Sequence, residues 1–209
     1  MNIAIIDYGM GNLKSVYNGL KVLGIDCKIS SSVDEIRAAK ALILPGVGAF
    51  KDAMDNLCEN SLDKVIKEEC KKGKFLLGIC LGMQMLFERG YESQEREGLG
   101  LLKGDIVKME PKEEVKIPHM GWNNLQFNTQ FNTQDEIING LTGDSFVYYV
   151  HSFYAKGYNS EDLVAYSNYG DLIIPGIVKR GNIIGAQFHP EKSGDVGLEI
   201  LKNFGEMVK

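Results

Sequence analysis

Lys74-Phe75-Leu76-Leu77-Gly78-Ile79-Cys80-Leu81-Gly82-Met83-Gln84 holds the strongest structural signal in the chain. An apolar run of strand length meets Gly-x-Cys-x-Gly, and a helix-forming segment, residues 81–89, follows. Strand, tight glycine turn and helix in that order make a nucleophile elbow, with sulfur where a serine oxygen often stands. The turn is too sharp for neighbouring β-carbons, so the cysteine sits in strained backbone above a sheet edge. The N-terminus of the next helix, placed beneath it, would stabilise a thiolate. The bland alternative is a structural cysteine in a glycine-rich turn; the strand before it and the helix after it favour the nucleophile. Cys27, Cys58 and Cys70 lack this setting and read as small hydrophobes.

Around this stretch, residues 2–7, 27–30 and 41–44 read as strands, and residues 12–23, 33–38 and 53–70 as helices. Such alternation predicts βαβ units and a parallel sheet. The wholly apolar segments 41–44 and 75–79 suit its centre, covered on both faces. The second half reads differently. Residues 106–109, 145–151, 163–167, 177–179 and 183–188 look like strands between turns, and helical periodicity returns only at 196–208. The expectation is an α/β fold: one domain over residues 1–209, with a mixed sheet, a parallel core and flanking helices. The tandem Phe127-Asn128-Thr129-Gln130-Phe131-Asn132-Thr133-Gln134 reads as a lengthened polar surface turn without chemistry.

Composition narrows the function. A chain of 209 residues with 44% hydrophobic content can bury a sizeable core without staples. The net charge of −5 and the scattered Lys and Arg argue against nucleic acid as a partner. The run Lys71-Lys72-Gly73-Lys74 reads as a solvated helix end. The four cysteines form no C-x-x-C pair and no zinc pattern, so neither a metal nor another cofactor is expected. The apolar start meets Asp7 with no basic stretch and reads as a strand rather than a leader, and no apolar run reaches membrane-spanning length. A cytoplasmic protein with reduced thiols is expected.

A cysteine nucleophile needs a base and a group to orient that base. The three histidines are His119, His151 and His189. His189 follows an apolar strand and precedes Pro190, which cannot continue a ladder, so the imidazole lies at a strand end where α/β sites gather. Glu191 stands two residues on and could hold the ring in the needed tautomer. Alone, His-Pro-Glu would be a surface turn; beside the elbow it supplies the base and its orienter. In Leu44-Pro45-Gly46-Val47-Gly48-Ala49-Phe50 a buried strand runs into a loop whose N–H groups could serve an oxyanion, though taken alone it is an ordinary strand exit. Asp7-Tyr8-Gly9-Met10-Gly11-Asn12-Leu13-Lys14 lacks the third glycine of a dinucleotide motif and reads as a tight turn near the mouth of the site. Ile117-Pro118-His119-Met120-Gly121-Trp122-Asn123 is either core or an exposed apolar patch for a partner.

Together these motifs, with Tyr148-Tyr149-Val150-His151-Ser152-Phe153-Tyr154 and Phe188-His189-Pro190-Glu191-Lys192-Ser193-Gly194, resemble the class I, or triad, glutamine amidotransferases over the whole chain. The resemblance implies that Cys80 attacks the glutamine carboxamide, that His189 protonates the leaving ammonia and then activates water, and that Glu191 orients His189. It implies glutamine holders at Gln84 and around His151, Ser152 and Phe153, and oxyanion-loop residues at Val47 and Gly48. It also implies a heterodimer in which ammonia passes to a (β/α)8-barrel cyclase subunit that makes imidazole glycerol phosphate, with Met120, Trp122, Tyr148 and Lys179 facing that partner. Three other readings compete: a paralogue feeding a synthase that aminates a surface-glycan sugar, a non-catalytic binding module, and a cysteine peptidase or esterase. The intact Cys80, His189 and Glu191 argue against the module; Gln84 and the tryptophan motif argue against the peptidase.

Overall fold

In chain order the first half of the computed structural model holds β1 (Ile3–Ile6), α1 (Leu13–Val22), β2 (Cys27–Ser30), α2 (Val33–Ala38), β3 (Ala41–Gly46), α3 (Phe50–Glu59), α4 (Leu62–Lys71), β4 (Phe75–Cys80) and α5 (Leu81–Gln84). There follow β5 (Arg89–Gly90), β6 (Arg96–Glu97), β7 (Asp105–Lys108), β8 (His119–Asn124), β9 (Gln126–Phe127), β10 (Phe146–His151) and β11 (Phe153–Lys156). The chain closes with β12 (Leu163–Tyr169), β13 (Leu172–Arg180), β14 (Ile183–Ala186) and α6 (Gly194–Met207). The structure describes residues 1–130 and 135–208, so the second half of the Phe-Asn-Thr-Gln tandem lies outside the described residues.

The main sheet has eight strands in the order β2-β1-β3-β4-β14-β13-β12-β9. The pairs from β2 to β14 are parallel, and those from β14 to β9 antiparallel. This is the mixed sheet with a parallel core that the alternation predicts. Successive strand residues point to opposite faces, so β1 sends Ala4 and Ile6 into one core and Ile3 and Ile5 into the other. The first core packs beneath α2, α3 and α4; the second packs beneath α1 and α6.

Four expectations change. The helix expected over 53–70 is two helices, because Ser61 takes a left-handed φ of 55° and the Asn60 side chain caps back to the Asn56 carbonyl at 2.9 Å. The helix expected over 81–89 ends at Gln84. The Leu99, Gly100, Leu101 and Leu102 N–H groups take the Met85, Phe87 and Leu86 carbonyls, so the chain leaves the helix inside the core. The antiparallel strands do not all join one sheet: β10 pairs with β8 as a ribbon, and β11-β7-β5-β6 form a third sheet. The Met120–Trp122 segment is itself a strand, β8, paired along its whole length with β10.

The elbow is packed to contact. A β-carbon on Gly82 would lie 1.7 Å from the Leu44 carbonyl oxygen, and one on Gly78 would lie 2.7 Å from the Gly82 carbonyl oxygen. Both neighbours are backbone, which cannot swing aside. Gly82→Ala is therefore expected to cost about 3 kcal/mol or more, at or beyond the upper end of ordinary overpacking. Denaturant unfolding of the variant checks this; a stability within about 0.5 kcal/mol of the parent, as for a neutral surface change, would contradict the packing described.

Candidate active site

The site forms where β3, β4 and β14 end at one sheet edge. Gly46 is in register with Cys80, and Ala186 with Ile79, so the chain exits after these strands lie side by side. Cys80 closes β4 with φ 56° and ψ −112°, a strained conformation for a residue with a β-carbon. Its Sγ lies 4.0 Å from the Val150 carbonyl oxygen and 4.0 Å from Gln187 Nε2. The helix beneath it has one turn, which aligns few peptide dipoles, so support from the helix N-terminus is smaller than a long helix would give.

His189 sits just past β14 and is buried. Its Nδ1 is 2.8 Å from Glu191 Oε1. The other Glu191 oxygen is buried with no hydrogen-bond partner among the described residues, so the carboxylate's interaction is aimed at the imidazole. Burial pushes the His189 pKa down, but hydrogen bonds to Cys80 and Glu191 and the charges of both outweigh it and raise it from 6.5 to about 9. The turn is fastened from outside. His189 N–H donates to the Tyr148 carbonyl at 3.0 Å. The Ser193 hydroxyl donates to the His189 carbonyl at 2.7 Å and accepts from the Tyr148 N–H at 2.9 Å.

A pocket of about 380 Å³ opens on these groups. Val47, Gly48, Cys80, Gln84, His151, Ser152, Phe153 and His189 line it, so the expected nucleophile, base, loop and holders meet in one place. Four lining residues were not among those expected: Leu81 and Val150, which adjoin expected ones, and Glu92 and Lys192. Glu92 accepts a hydrogen bond from the Phe50 N–H at 2.8 Å, and Lys192 stands beside the His189 turn. Glu92 lies in no local motif, and Lys192 is legible only as part of the Phe188–Gly194 motif. Ser193, four residues after His189, was likewise legible only as part of the motif. Tyr8, in the first glycine turn, donates from its hydroxyl to the Pro45 carbonyl at 2.9 Å and so anchors the start of the Val47–Gly48 loop. Of the other cysteines, Cys70 is raised to about 12 by burial and the neighbouring Glu69 carboxylate, which leaves it inert.

Beside the pocket, the β8–β10 ribbon turns an apolar face outward. Met120 is 60% exposed and Trp122 57%, with Phe146 at 49%. Tyr148 meets Trp122 edge to face with centroids 6.0 Å apart. Lys179 is elsewhere: it lies on β13, held by both Asp135 carboxylate oxygens at 2.8 and 2.9 Å. No helix among the described residues is long and apolar enough to cross a membrane.

A family model described as glutamine amidotransferase class-I matches residues 4–207. The chain is 53% identical to the imidazole glycerol phosphate synthase subunit HisH of Bacillus cereus (strain B4264), covering 99% of this chain and 95% of that protein. It is 48% identical to the HisH subunit of Oceanobacillus iheyensis, covering 99% of this chain and 100% of that protein. Among solved structures, one described as a glutamine amidotransferase matches with a TM-score of 0.75 at 21% identity, over 98% of this chain and 100% of that one. PurLQS from Thermotoga maritima matches with a TM-score of 0.75 at 19% identity, over 100% and 99%. At these identities the structural likeness speaks for the fold.

The raised His189 value predicts a pH effect on stability. Because the folded value lies above the ordinary 6.5, the contribution is complete below 6.5 and is lost as pH rises through about 9. Glu191→Gln is expected to lower the His189 midpoint and shrink that loss. Histidine titration by NMR with denaturant unfolding across the window checks it; a His189 midpoint unmoved by the substitution would contradict the pairing.

Proposed function

The chain belongs to the class-I glutamine amidotransferases, and on that premise we propose that it is the glutaminase subunit of an imidazole glycerol phosphate synthase. The observation that carries the reading is the meeting of Cys80 and His189 in one pocket, with Glu191 bonded to His189, in a chain 53% identical along nearly its whole length to a HisH subunit. The whole chain, residues 1–209, acts as one amidotransferase domain.

The geometry supports a two-stage reaction. Glutamine enters with its zwitterionic head between Glu92 and Lys192, whose opposite charges complement an ammonium and a carboxylate. Gln84, Ser152 and Phe153 form the wall beside the side chain. Cys80 Sγ adds to the carboxamide carbon, and the new oxyanion takes N–H donors from the Val47–Gly48 loop. Collapse breaks the C–N bond. His189, held protonated by Cys80 and Glu191, gives its proton to the leaving nitrogen, which departs as ammonia. A thioester remains. Water, deprotonated by the now neutral His189, attacks it and releases glutamate and the thiol.

The ammonia goes to a (β/α)8-barrel cyclase subunit, joined as a heterodimer. The exposed Met120, Trp122, Phe146 and Tyr148 face, next to the pocket, is the docking surface that suits it. A biosynthetic enzyme whose four cysteines are all free thiols fits the cytoplasm.

Cys80→Ser is expected to abolish glutamine hydrolysis while leaving the fold intact. His189→Asn should be nearly as damaging and Glu191→Gln milder, since an orienting group contributes least within such a unit. Steady-state ammonia release decides; wild-type turnover by Cys80→Ser would overturn the mechanism.

The isolated chain is expected to be a poor glutaminase, accelerated about a hundredfold or more by the cyclase with its nucleotide bound. That is the scale of one recovered oxyanion donor. A loop with two glycines can rest with a carbonyl turned toward the substrate, and a partner shifts it by binding the flipped form better. Full speed without a partner would point to a stand-alone hydrolase. Acceleration by a different synthase would move the chain to another acceptor.

A further inference from the structure

Two histidines take no proton in the reaction above, yet they are paired inside the protein. His119 and His151 stand opposite each other on β8 and β10, and are only 2% and 7% exposed. His119 Nδ1 lies 3.0 Å from His151 Nε2, and His151 Nδ1 lies 2.8 Å from the Phe153 carbonyl oxygen. A carbonyl only accepts, so His151 Nδ1 carries a proton. With His151 neutral, its Nε2 is a bare lone pair, and His119 Nδ1 must be the donor. His119 Nε2 is then an acceptor, and it faces the Asn123 amide nitrogen at 3.4 Å. Every link agrees, and agrees only while both rings are neutral. A second proton on either ring would set N–H against N–H or against the Asn123 amide. Burial, the leading cause in each, holds His119 at about 4 and His151 at about 3. The Phe153 carbonyl opposes this for His151, while His119 and His189 reinforce it.

The pair does not end in inert core. The Phe153 carbonyl also accepts from Gln84 Nε2 at 2.9 Å. Gln84 Nε2 donates in turn to Gln187 Oε1 at 3.0 Å, and Gln187 Nε2 approaches Cys80 Sγ at 4.0 Å. A continuous line of polar contacts thus runs from Asn123 on β8 to the nucleophile. His151, Phe153 and Gln84 line the pocket; His119 does not. Its ring is clamped between Tyr149 and Tyr169, with centroids at 4.5 and 4.0 Å. These two tyrosines, with His189 acting on His151, are the titratable groups that face the pair.

We propose that His119 is a positioning residue for glutamine hydrolysis: donating from Nδ1 to the bare Nε2 of His151, it holds that ring in place, and through it the Phe153 carbonyl and Gln84 amide that wall the glutamine pocket. The proposal rests on the glutaminase reading of the site. It predicts that the pair acts on substrate binding more than on the chemical step, because no atom of His119 reaches the reacting groups.

The test combines NMR and kinetics on the full chain with the cyclase subunit present. With 15N-labelled histidine, His119 and His151 should both read as neutral Nδ1–H tautomers and stay so down to about pH 5, well under the ordinary histidine range. An Nε2–H signal from either, or titration near 6.5, would overturn the proposal. His119→Phe keeps a ring between the tyrosines but has no donor. His119→Asn loses the ring but keeps an N–H near the Nδ1 position. In His119→Phe, His151 should keep its Nδ1–H on the Phe153 carbonyl, but its Nε2 resonance should shift as the hydrogen bond from His119 is lost, and KM for glutamine should rise about tenfold, the scale of one lost hydrogen bond, with kcat less affected. In His119→Asn, His151 should remain Nδ1–H and most of the KM should return. Equal KM losses in both variants, or an unchanged KM in His119→Phe, would mark His119 as packing only. If His119→Phe does not fold, the parent tautomers and His119→Asn still decide. A parent protein that hydrolyses no glutamine would sink the reading of the site instead, while the NMR would still report on the pair.

Discussion

Everything at the site depends on how closely two backbones approach. The end of β3 and the turn after β4 touch main chain to main chain: a β-carbon on Gly46 would lie 2.8 Å from the Gly82 nitrogen. That contact sets Cys80 against the loop that begins at Val47, with no side chain between. Tyr8 completes it from the first glycine turn by holding the Pro45 carbonyl. Nucleophile turn and loop are therefore placed mainly by the covalent chain and by backbone contacts, with the Tyr8 hydroxyl as the side-chain tie. The strained φ of Cys80 is held in place by that over-determined packing.

The second half of the chain supplies what the first cannot. The parallel core brings Cys80 and His189 to one edge, but the His189 turn would be free without Tyr148 and Ser193. Their three hydrogen bonds tie it to β10. The same strand carries His151 and leads to Phe153, so β10 is the common support of the base and of the pocket wall. A ribbon of only two strands can hold this position because its inner side is buried: Val147 and Tyr149 are wholly inaccessible, and the Tyr149 hydroxyl is bonded to Ser167 at 2.9 Å.

What could be read from the sequence follows from how local each cause is. Gly78-x-Cys80-x-Gly82 is legible because the turn itself demands those residues, and His189 because Pro190 ends a ladder at that point. The strands of the parallel core are legible because burial on both faces leaves a plain apolar run. The break at Asn60-Ser61 was hidden, since the apolar period of α3 passes into that of α4 and only a weak stop signal separates them. The early end of α5 is a tertiary effect: residues 99–102 capture the carbonyls of Met85, Leu86 and Phe87, just past its end, from a distance in sequence. Strand β8 contains Gly121, Asn123 and Asn124, poor strand formers, and exists because β10 pairs with it. Glu92, Gln187 and His119 have meaning only through partners tens of residues away, so no local pattern could single them out.

Strand β10 alternates between surface and interior: Phe146 is exposed and Tyr148 and Val150 half-buried, while Val147, Tyr149 and His151 are buried. Val150 and His151, consecutive and on opposite faces, both line the pocket. One layer of polypeptide is thus at once an outer surface and an inner wall. A change at Val150, half-buried and lining the pocket, meets both sides, so what the outside tolerates there is filtered by what the cavity allows. The tandem at Phe127 begins on β9, the outermost strand of the large sheet, far from β4 and β14 in strand order. Insertions there escape that filter, and length variation should accumulate at that edge while β10 keeps its residue count.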